Sequence, residues 1–316
     1  MTSPAFDLIG LTQLRNDPRY RKIDGGIDKG KNLAVVVIDT GIQGDHLLLD
    51  ENFEAYVNFT EDASTPPTVI EVPFISSDEI GHGTHVAGII GSEDESIGVA
   101  TGVDLISLQV FSRNTLTFEQ DIVKALQWVL DKREQYNIVA VNMSLGEGLY
   151  TSSDRSNSDY IDIVNKLEQE GITIVSAAGN YYAEQFEPEQ NVMSPAIFRT
   201  LAVGAVYQDD YPFDSSGNFS NSVEQDEITE FSQRLKFESM IFAPGAYINS
   251  TVPGNGTDDY RGTSMASPMV AGAVALLQEA ALQFGGRKLT PYEVREILLE
   301  TADEITDGDT EDINPT

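Results

Sequence analysis

The chain has 316 residues, no cysteine and three histidines, and its 51 acidic side chains outnumber the 19 basic ones to give a formal charge of −32. The absence of cysteine excludes a disulfide scaffold, a thiolate zinc site, an iron–sulfur cluster and a cysteine nucleophile. The negative charge argues against binding to nucleic acid, whose backbone is itself anionic, and favours high solubility, an affinity for cations or a cationic substrate.

Apolar runs alternate with segments of helical periodicity along the chain. In chain order, the pattern predicts a strand at 33–38, a helix at 82–90, a strand at 104–111, a helix at 118–135, a strand at 138–143, a helix at 160–170, strands at 172–177 and 201–206, and helices at 264–284 and 291–303. Strands that alternate with helices in this way predict an α/β fold, with a doubly wound, mostly parallel sheet between two helical layers. No run approaches the roughly 18 apolar residues of a membrane span, so no membrane partner is expected.

No segment of linker composition divides this pattern, so we expect a single domain over residues 1–316, ending in an acidic tail at 303–316. Loops rich in acidic residues, serine, asparagine and proline are predicted at 61–80, 150–159, 181–192 and 208–228. Thr290 precedes Pro291, which is typical of a helix N-cap followed by proline at the first helical position.

Three short segments carry groups that could act together in catalysis. Asp39 ends the first predicted strand, His82 lies in Gly-His-Gly-Thr-His-Val-Ala-Gly, and Ser264 lies in Gly-Thr-Ser-Met-Ala-Ser-Pro. Each alone has an ordinary explanation, as a turn residue, a hydrogen-bonded polar side chain or a helix N-cap. Together they supply a hydroxyl, a base to activate it and a carboxylate to orient the base. Such groups collect at the carboxyl ends of the strands in open α/β sheets.

These segments resemble the motifs of the subtilisin-like serine proteases, the subtilases, and the resemblance extends over about residues 11–302. The chain order Asp, His, Ser is that of subtilisin. The resemblance implies a serine endopeptidase in which Asp39 orients His82, His82 acts as general base, and Ser264 forms an acyl-enzyme. It also implies that Asn180, in Ser-Ala-Ala-Gly-Asn, donates its side-chain amide to the oxyanion.

The resemblance further implies that a polypeptide substrate binds as an extended strand between two edges of the protein. The two edges comprise Ser144, Leu145 and Gly146 on one side and Thr115, Leu116 and Thr117 on the other. Asp78 would add negative potential at the second subsite.

The sequence leaves open which of two kinds of substrate side chain the specificity pocket prefers. By resemblance, Met193 lies at the base of the pocket, where it would favour an apolar or medium-sized side chain. Glu147 lies at the pocket wall, and with the acids of the adjoining loop (Glu184, Glu187 and Glu189) it would favour lysine or arginine. Alternatively, these acids form only a solvated surface loop.

Calcium is the structural ion that the resemblance implies, and no organic cofactor is expected. Residues 93–99 match in length a family loop that wraps calcium, a hard cation that takes six to eight oxygen ligands. The implied ligands are the carbonyls of Glu93, Ile97 and Val99 and the side chains of Glu95, Asp50 and Asp7. Asp50 fits only if its loop shifts, because Leu47-Leu48-Leu49 stands where the family has its aspartate. Without calcium, the loop would be an acidic surface turn.

Two other functions remain open at this point. One is peptide transfer, giving a cyclised or ligated product from the same acyl-enzyme, for which residues 208–230 are the only candidate capping insertion. The other is a non-catalytic peptide-binding module. An α/β-hydrolase esterase is disfavoured, because Ser264 does not lie in a Gly-x-Ser-x-Gly elbow and the triad order differs.

The resemblance also implies a monomer, an inhibitory propeptide outside this chain, and a secreted or periplasmic location. No signal peptide is visible at the start of the sequence, which leaves a cytoplasmic location open. The family closes with a further glycine-rich segment after the last helix, so we expect this sequence either to be part of a longer protein or to have an unusual terminus.

Overall fold

The computed structural model describes residues 3–26, 32–60, 68–71, 78–112, 119–150, 158–182, 191–196, 200–212, 217, 222–235 and 240–305. The helices within these ranges are α1 (Pro4–Leu8), α2 (Leu11–Asn16), α3 (His82–Gly91), α4 (Glu119–Tyr136), α5 (Ser158–Gln169), α6 (Thr263–Ala280, extended by a π-helical turn at Ala281–Gly285) and α7 (Pro291–Thr301). The strands are β1 (Ala34–Asp39), β2 (Phe53–Asn58), β3 (Thr68–Glu71), β4 (Asp104–Gln109), β5 (Ile138–Met143), β6 (Glu147–Tyr150), β7 (Thr173–Ala177), β8 (Val192–Ser194), β9 (Leu201–Tyr207), β10 (Ile241–Ala246), β11 (Ile248–Val252) and β12 (Gly256–Tyr260).

Eight strands form one sheet in the order β10-β9-β7-β5-β1-β4-β2-β3. Its neighbouring strands are parallel except for the edge strand β3, which runs antiparallel to β2. The central strands are buried along their whole length, which explains why they appear in the sequence as continuous apolar runs. The predicted doubly wound α/β fold is confirmed.

Strand β1 shows how the two faces of the sheet are covered. Val35 and Val37 belong to a core that includes residues of α3 and α6, whereas Val36 and Ile38 belong to a second core with residues of α4 and α5. Successive side chains of a strand point to opposite faces. The sheet is therefore the middle of three layers.

Helix α6 and its π-helical turn form the longest apolar helix in the described part of the chain. Over residues Thr263–Gly285 it is long and apolar enough to cross a membrane by length and composition, with a mean hydropathy of 1.4. However, 72% of the apolar window is buried inside the protein, and the helix packs against β5, β7, β9 and β10. It is therefore the central helix of the core, and its alanines and glycines allow this close packing.

The sequence prediction missed the short and polar elements, and also the six-residue strands β2 and β10 of the main sheet. Strand β3 lies inside the loop predicted at 61–80, and the polar strand β12 pairs with β11 through a tight turn in which Gly254 and Asn255 have positive φ. In contrast, the predicted cap of α7 is confirmed. Thr290 accepts a hydrogen bond from the backbone of Glu293, whose carboxylate accepts one in return, so the two residues form a capping box.

Glycine allows α3 to approach the turn after β1. A Cβ atom on Gly83 would lie only 2.1 Å from the carbonyl oxygen of Gly41 and 3.1 Å from the Cβ atom of Asp39. No larger residue fits there without a shift of the backbone. This close approach brings the first residue of α3, His82, to the last residue of β1.

Candidate active site

The carboxyl ends of neighbouring strands bring the predicted site residues to one edge of the sheet. Asp39 ends β1, Ser144 follows β5, and Asn180 follows β7, and these three strands are adjacent. His82 at the start of α3 contacts Asp39, and Ser264 in the first turn of α6 contacts Ser144. The two helices also pack against each other.

A direct hydrogen bond joins the predicted base to its orienting carboxylate. His82 Nδ1 lies 2.8 Å from Asp39 Oδ1, and the same oxygen accepts the backbone N–H of Thr40 at 2.7 Å. Asp39 is buried, whereas the His82 side chain is about a third exposed. With Nδ1 donating to the carboxylate, Nε2 of the neutral ring carries the free lone pair.

The surroundings of His82 change its basicity. Burial alone would lower the pKa of His82, but the charge and hydrogen bond of Asp39 and the charge of Asp78 raise it, and the net direction is upward from the ordinary value of 6.5. By contrast, burial lowers the pKa of His85 to about 4, and its ring stacks on Tyr260. Of these two neighbouring histidines, only His82 has the partner and the basicity of a proton acceptor.

Asp78 ties the start of α3 to the turn after β1. Its Oδ1 atom accepts hydrogen bonds from the Thr40 hydroxyl and from the backbone N–H groups of Ile80 and Gly81. Its Oδ2 atom accepts from the backbone and the hydroxyl of Thr84. The side chain is buried, so it reaches a second subsite only through its charge, and the expected subsite role stays a prediction.

Ser264 lies in the first turn of α6, after a glycine with a positive φ. Its hydroxyl lies 3.4 Å from the carbonyl oxygen of Ser144, which is a weak contact. The N–H groups of a first helical turn lack intrahelical partners and carry the positive end of the helix dipole. Ser264 therefore combines a loosely held hydroxyl with backbone groups that can stabilise an anion.

The side-chain amide of Asn180 is held in one orientation by a residue that the sequence analysis missed. Asn180 Oδ1 accepts hydrogen bonds from the backbone N–H and the hydroxyl of Thr263, at 2.8 and 2.9 Å. The Thr263 hydroxyl also accepts the N–H of Gly179 at 3.1 Å. Because the amide oxygen is engaged, its NH2 group is the end that can donate to a ligand. The position of Thr263, directly before Ser264, was the signal in the sequence that this residue could contribute to the site.

A buried polar network connects strand β5 to helix α6. Asn142 donates to the Ser144 hydroxyl at 3.0 Å and accepts from the Ser267 hydroxyl at 2.7 Å, and Ser144 donates to the carbonyl oxygen of Ser264 at 2.8 Å. The sequence analysis named Ser144 only for its backbone, but its side chain also fixes the turn that carries Ser264. The polar Asn142 within an apolar strand was the signal for this network.

The two predicted specificity residues lie on paired strands. Strands β6 and β8 are antiparallel, with Glu147 opposite Ser194, the neighbour of Met193. Met193 donates its backbone N–H to the carbonyl oxygen of Ala178 at 2.8 Å, and its side chain lies against Gly179. Glu147 is exposed, and Leu145 and Gly146 lie between β5 and β6. The predicted edge of Thr115, Leu116 and Thr117 and the loop acids Glu184, Glu187 and Glu189 lie outside the described residues.

The loop expected to bind calcium does not fit that ion. Arg15 donates from its guanidinium to the carbonyl oxygens of Glu95, Gly98 and Val99, and a second cation cannot share these oxygens. The Glu93 carboxylate accepts the backbone N–H of Glu51. Of the expected set of Asp7, Asp50, Glu93, Glu95, Ile97 and Val99, Arg15 therefore occupies the Val99 carbonyl oxygen, and without that oxygen the set is incomplete. In the described ranges, no three histidine, aspartate or glutamate side chains form a group that could hold a metal.

Comparison with known proteins gives consistent matches. The sequence model of the subtilase family matches residues 30–314. The chain is 31% identical over 271 residues to the major intracellular serine protease of Bacillus subtilis (strain 168), covering 84% of this chain and 74% of that protein. It is 29% identical over 269 residues to an intracellular serine protease of Paenibacillus polymyxa, covering 84% and 72%.

Two further matches concern subtilisins. The chain is 32% identical over 257 residues to subtilisin NAT of Bacillus subtilis subsp. natto, covering 78% of this chain but only 56% of that protein. Among solved structures, the crystal structure of a cold adapted subtilisin-like serine proteinase matches with a TM-score of 0.66 and 27% identity. That match covers 96% of this chain and 94% of the other.

The contact between Asp39 and His82 predicts how the ring titrates. In NMR titrations of the histidine ring protons, His82 should have a midpoint above 6.5 and His85 a midpoint near 4, for the reasons given above. Asp39→Asn should lower the His82 midpoint, because it removes the charge that stabilises the protonated ring. Asp121→Asn, which changes a carboxylate paired with Lys124 on α4, should leave the midpoint unchanged. A His82 midpoint that does not respond to Asp39→Asn would contradict this interpretation.

Proposed function

The chain belongs to the subtilase family of serine endopeptidases, and we propose that it hydrolyses peptide bonds with Asp39, His82 and Ser264 through an acyl-enzyme. The observation that carries the proposal is the 2.8 Å hydrogen bond between His82 Nδ1 and the buried Asp39 carboxylate. This hydrogen bond lies at the edge of the sheet where α6 begins. The first turn of α6 carries the Ser264 hydroxyl.

The reaction begins with proton transfer from Ser264 to His82. His82 Nε2 accepts the hydroxyl proton while the Ser264 oxygen forms a bond to the carbonyl carbon of the substrate, and the carbonyl oxygen becomes negative. Asp39 stabilises the resulting imidazolium and holds its orientation. His82 then gives its proton to the amide nitrogen, the carbon–nitrogen bond breaks, and the acyl group remains on Ser264.

Deacylation repeats these proton transfers with water. His82 accepts a proton from water, the water oxygen forms a bond to the acyl carbon, and the Ser264 oxygen leaves and recovers its proton. Both steps require a neutral His82, so hydrolysis falls as the pH drops through its raised pKa. The acidic limb of kcat/KM then lies above pH 6.5.

The negative oxygen of each tetrahedral intermediate needs oriented donors. Asn180 supplies one N–H from its amide, whose oxygen is fixed by Thr263. The backbone N–H of Ser264, at the positive end of α6, supplies a second. Because both donors are held before the substrate arrives, no reorganisation is required when charge develops.

The substrate binds as an extended strand along Ser144, Leu145 and Gly146. The side chain that precedes the cleaved bond enters the space beside Met193, which lies against Gly179 and next to Asn180. The Met193 side chain fills the end of this space, which favours apolar side chains of medium size. Glu147 is exposed on the paired strand and contributes negative charge at the entrance.

Removing the proposed nucleophile tests the function directly. Ser264→Ala should abolish both the hydrolysis of casein and labelling by a fluorophosphonate probe, because no hydroxyl remains to be acylated. Ser222→Ala, at an exposed serine in another segment, should retain both activities. Hydrolysis that survives Ser264→Ala would disprove the mechanism. Mass spectrometry that finds cyclised or ligated products would instead favour peptide transfer.

A double-mutant cycle tests the proposed role of Thr263. Asn180→Ala should lower kcat about 10²–10³-fold with little change in KM, the usual effect of removing an oxyanion-hole donor. Thr263→Val, which removes the hydroxyl bond to the amide, should lower kcat less, and Thr263→Ser should restore it. In the Asn180→Ala background, Thr263→Val should have almost no further effect on kcat. Additive losses would show that Thr263 acts independently of Asn180.

Digestion of a peptide library tests the specificity. The unmodified protein should cut after medium-sized apolar residues, and Met193→Gly should extend the cut sites to larger aromatic residues, because it lengthens the pocket. Glu147→Gln should leave this preference unchanged. Cleavage after lysine or arginine that disappears in Glu147→Gln would contradict the assignment and give the leading role to Glu147.

A further inference from the structure

The loop that follows helix α3, residues 92–99, contacts a cationic side chain from a distant part of the sequence. We propose that the guanidinium of Arg15 replaces a calcium ion as the internal cation of this loop, so that the stability of the loop does not depend on calcium. The inference concerns stability, and it stands whether or not the proposed catalytic roles are correct.

Arg15 contacts the inner carbonyl groups of the loop with both terminal nitrogens. One nitrogen donates to the carbonyl oxygen of Glu95, and the other donates to those of Gly98 and Val99, at 2.6 and 3.2 Å. Carbonyl oxygens that converge on one point require a cation or several N–H donors. The planar guanidinium supplies both, in a fixed geometry.

These contacts leave no room for calcium among the same oxygens. Calcium binds its oxygen ligands at about 2.3–2.6 Å, so an ion bound to Val99 on the side of the guanidinium would lie against a nitrogen that is only 3.2 Å from that oxygen. The two positive charges would repel each other in a partly buried position.

Contacts of the N-terminal segment with itself and with the core hold Arg15 in position. Its guanidinium lies 5.2 Å from the centre of the buried Phe6 ring, and Leu11 anchors α2 in the core. Burial lowers the pKa of Arg15, and the nearby Glu95 carboxylate opposes this shift. Arginine nevertheless remains protonated in proteins. Its positive charge is therefore permanent.

The loop matters because it secures the end of α3. Val99 and Ala100 donate their N–H groups to the carbonyls of Ile89 and Ile90 in the last turns of that helix. A Cβ atom on Gly98 would lie only 2.1 Å from the Ser92 carbonyl oxygen, so the loop is tightly closed. Arg15 therefore stabilises the helix whose first residue is His82.

The test uses the full chain carrying Ser264→Ala, which prevents self-digestion. Arg15→Met removes the charge and keeps most of the aliphatic stem, whereas Arg15→Lys keeps the charge and loses the planar fork. Arg19→Met is the matched control, because Arg19 is exposed and contacts its sequence neighbours Asp17 and Tyr20. Arg15→Met should lower the Tm by about 3–6 °C, Arg15→Lys by less, and Arg19→Met by under about 1 °C.

Hydrogen–deuterium exchange of peptides covering residues 92–99 then tests independence from calcium. Exchange in this loop should be the same with calcium and with a chelator in the parent protein, and faster in Arg15→Met. Because this measurement is local, calcium bound elsewhere does not affect it. The proposal is overturned if chelation accelerates exchange of the loop in the parent protein, or if Arg15→Met matches Arg19→Met in both measurements.

Discussion

The structure around the active site depends on burying two carboxylates next to each other. Asp39 and Asp78 are both buried, and a buried charge is costly unless hydrogen bonds replace its water. The turn after β1 and the first turn of α3 supply these bonds, from Thr40, Ile80, Gly81, His82 and Thr84. These bonds satisfy both oxygens of Asp78 and Oδ1 of Asp39, whereas Asp39 Oδ2 is buried without a hydrogen-bond partner among the described residues. The bonds therefore fix the position of the helix relative to the strand. The same charges raise the pKa of His82, so one constraint determines both the geometry and the basicity of the site.

An internal arginine and a bound calcium ion stabilise a loop in different ways. A bound ion stabilises the folded state to an extent that depends on its free concentration. An arginine side chain is covalently attached, so its contribution is independent of the ionic composition of the medium. In a chain with a formal charge of −32, free calcium has many carboxylates to which it can bind. Arg15 places a permanent positive charge on the carbonyl oxygens of Glu95, Gly98 and Val99, in the loop of residues 92–99 that follows α3.

The fold and part of the site could be predicted because their signals are local in sequence. The buried strand β5 was predicted with its observed bounds, and Asp39 and His82 occur at recognisable places, after a strand and among glycines. The hydrogen bonds of Thr263 to Asn180 and of Arg15 to Glu95 could not be predicted in this way, because the partners lie 83 and 80 residues apart. The position of Thr263 beside Ser264 was a local signal for its importance but did not identify its partner. The calcium expectation depended on the resemblance of the loop, in its length, to a calcium-binding loop of the family. No local pattern reveals that a distant arginine occupies its carbonyl groups.

Helix α3 connects the chemistry of the site to the stability of the loop. It has only 10 residues, and those from Gly83 to Gly91 are buried, so it has little freedom to tilt without disturbing the core. Its first turn is held by Asp39 and Asp78, and its last turns are held by the loop that Arg15 closes. Because a short, buried helix is fixed at both ends, we expect loosening of its far end to change the position of His82 as well. The N-terminal segment would then bear on the position of the proposed base, through the hydrogen bonds of Arg15 to the loop at the opposite end of the helix.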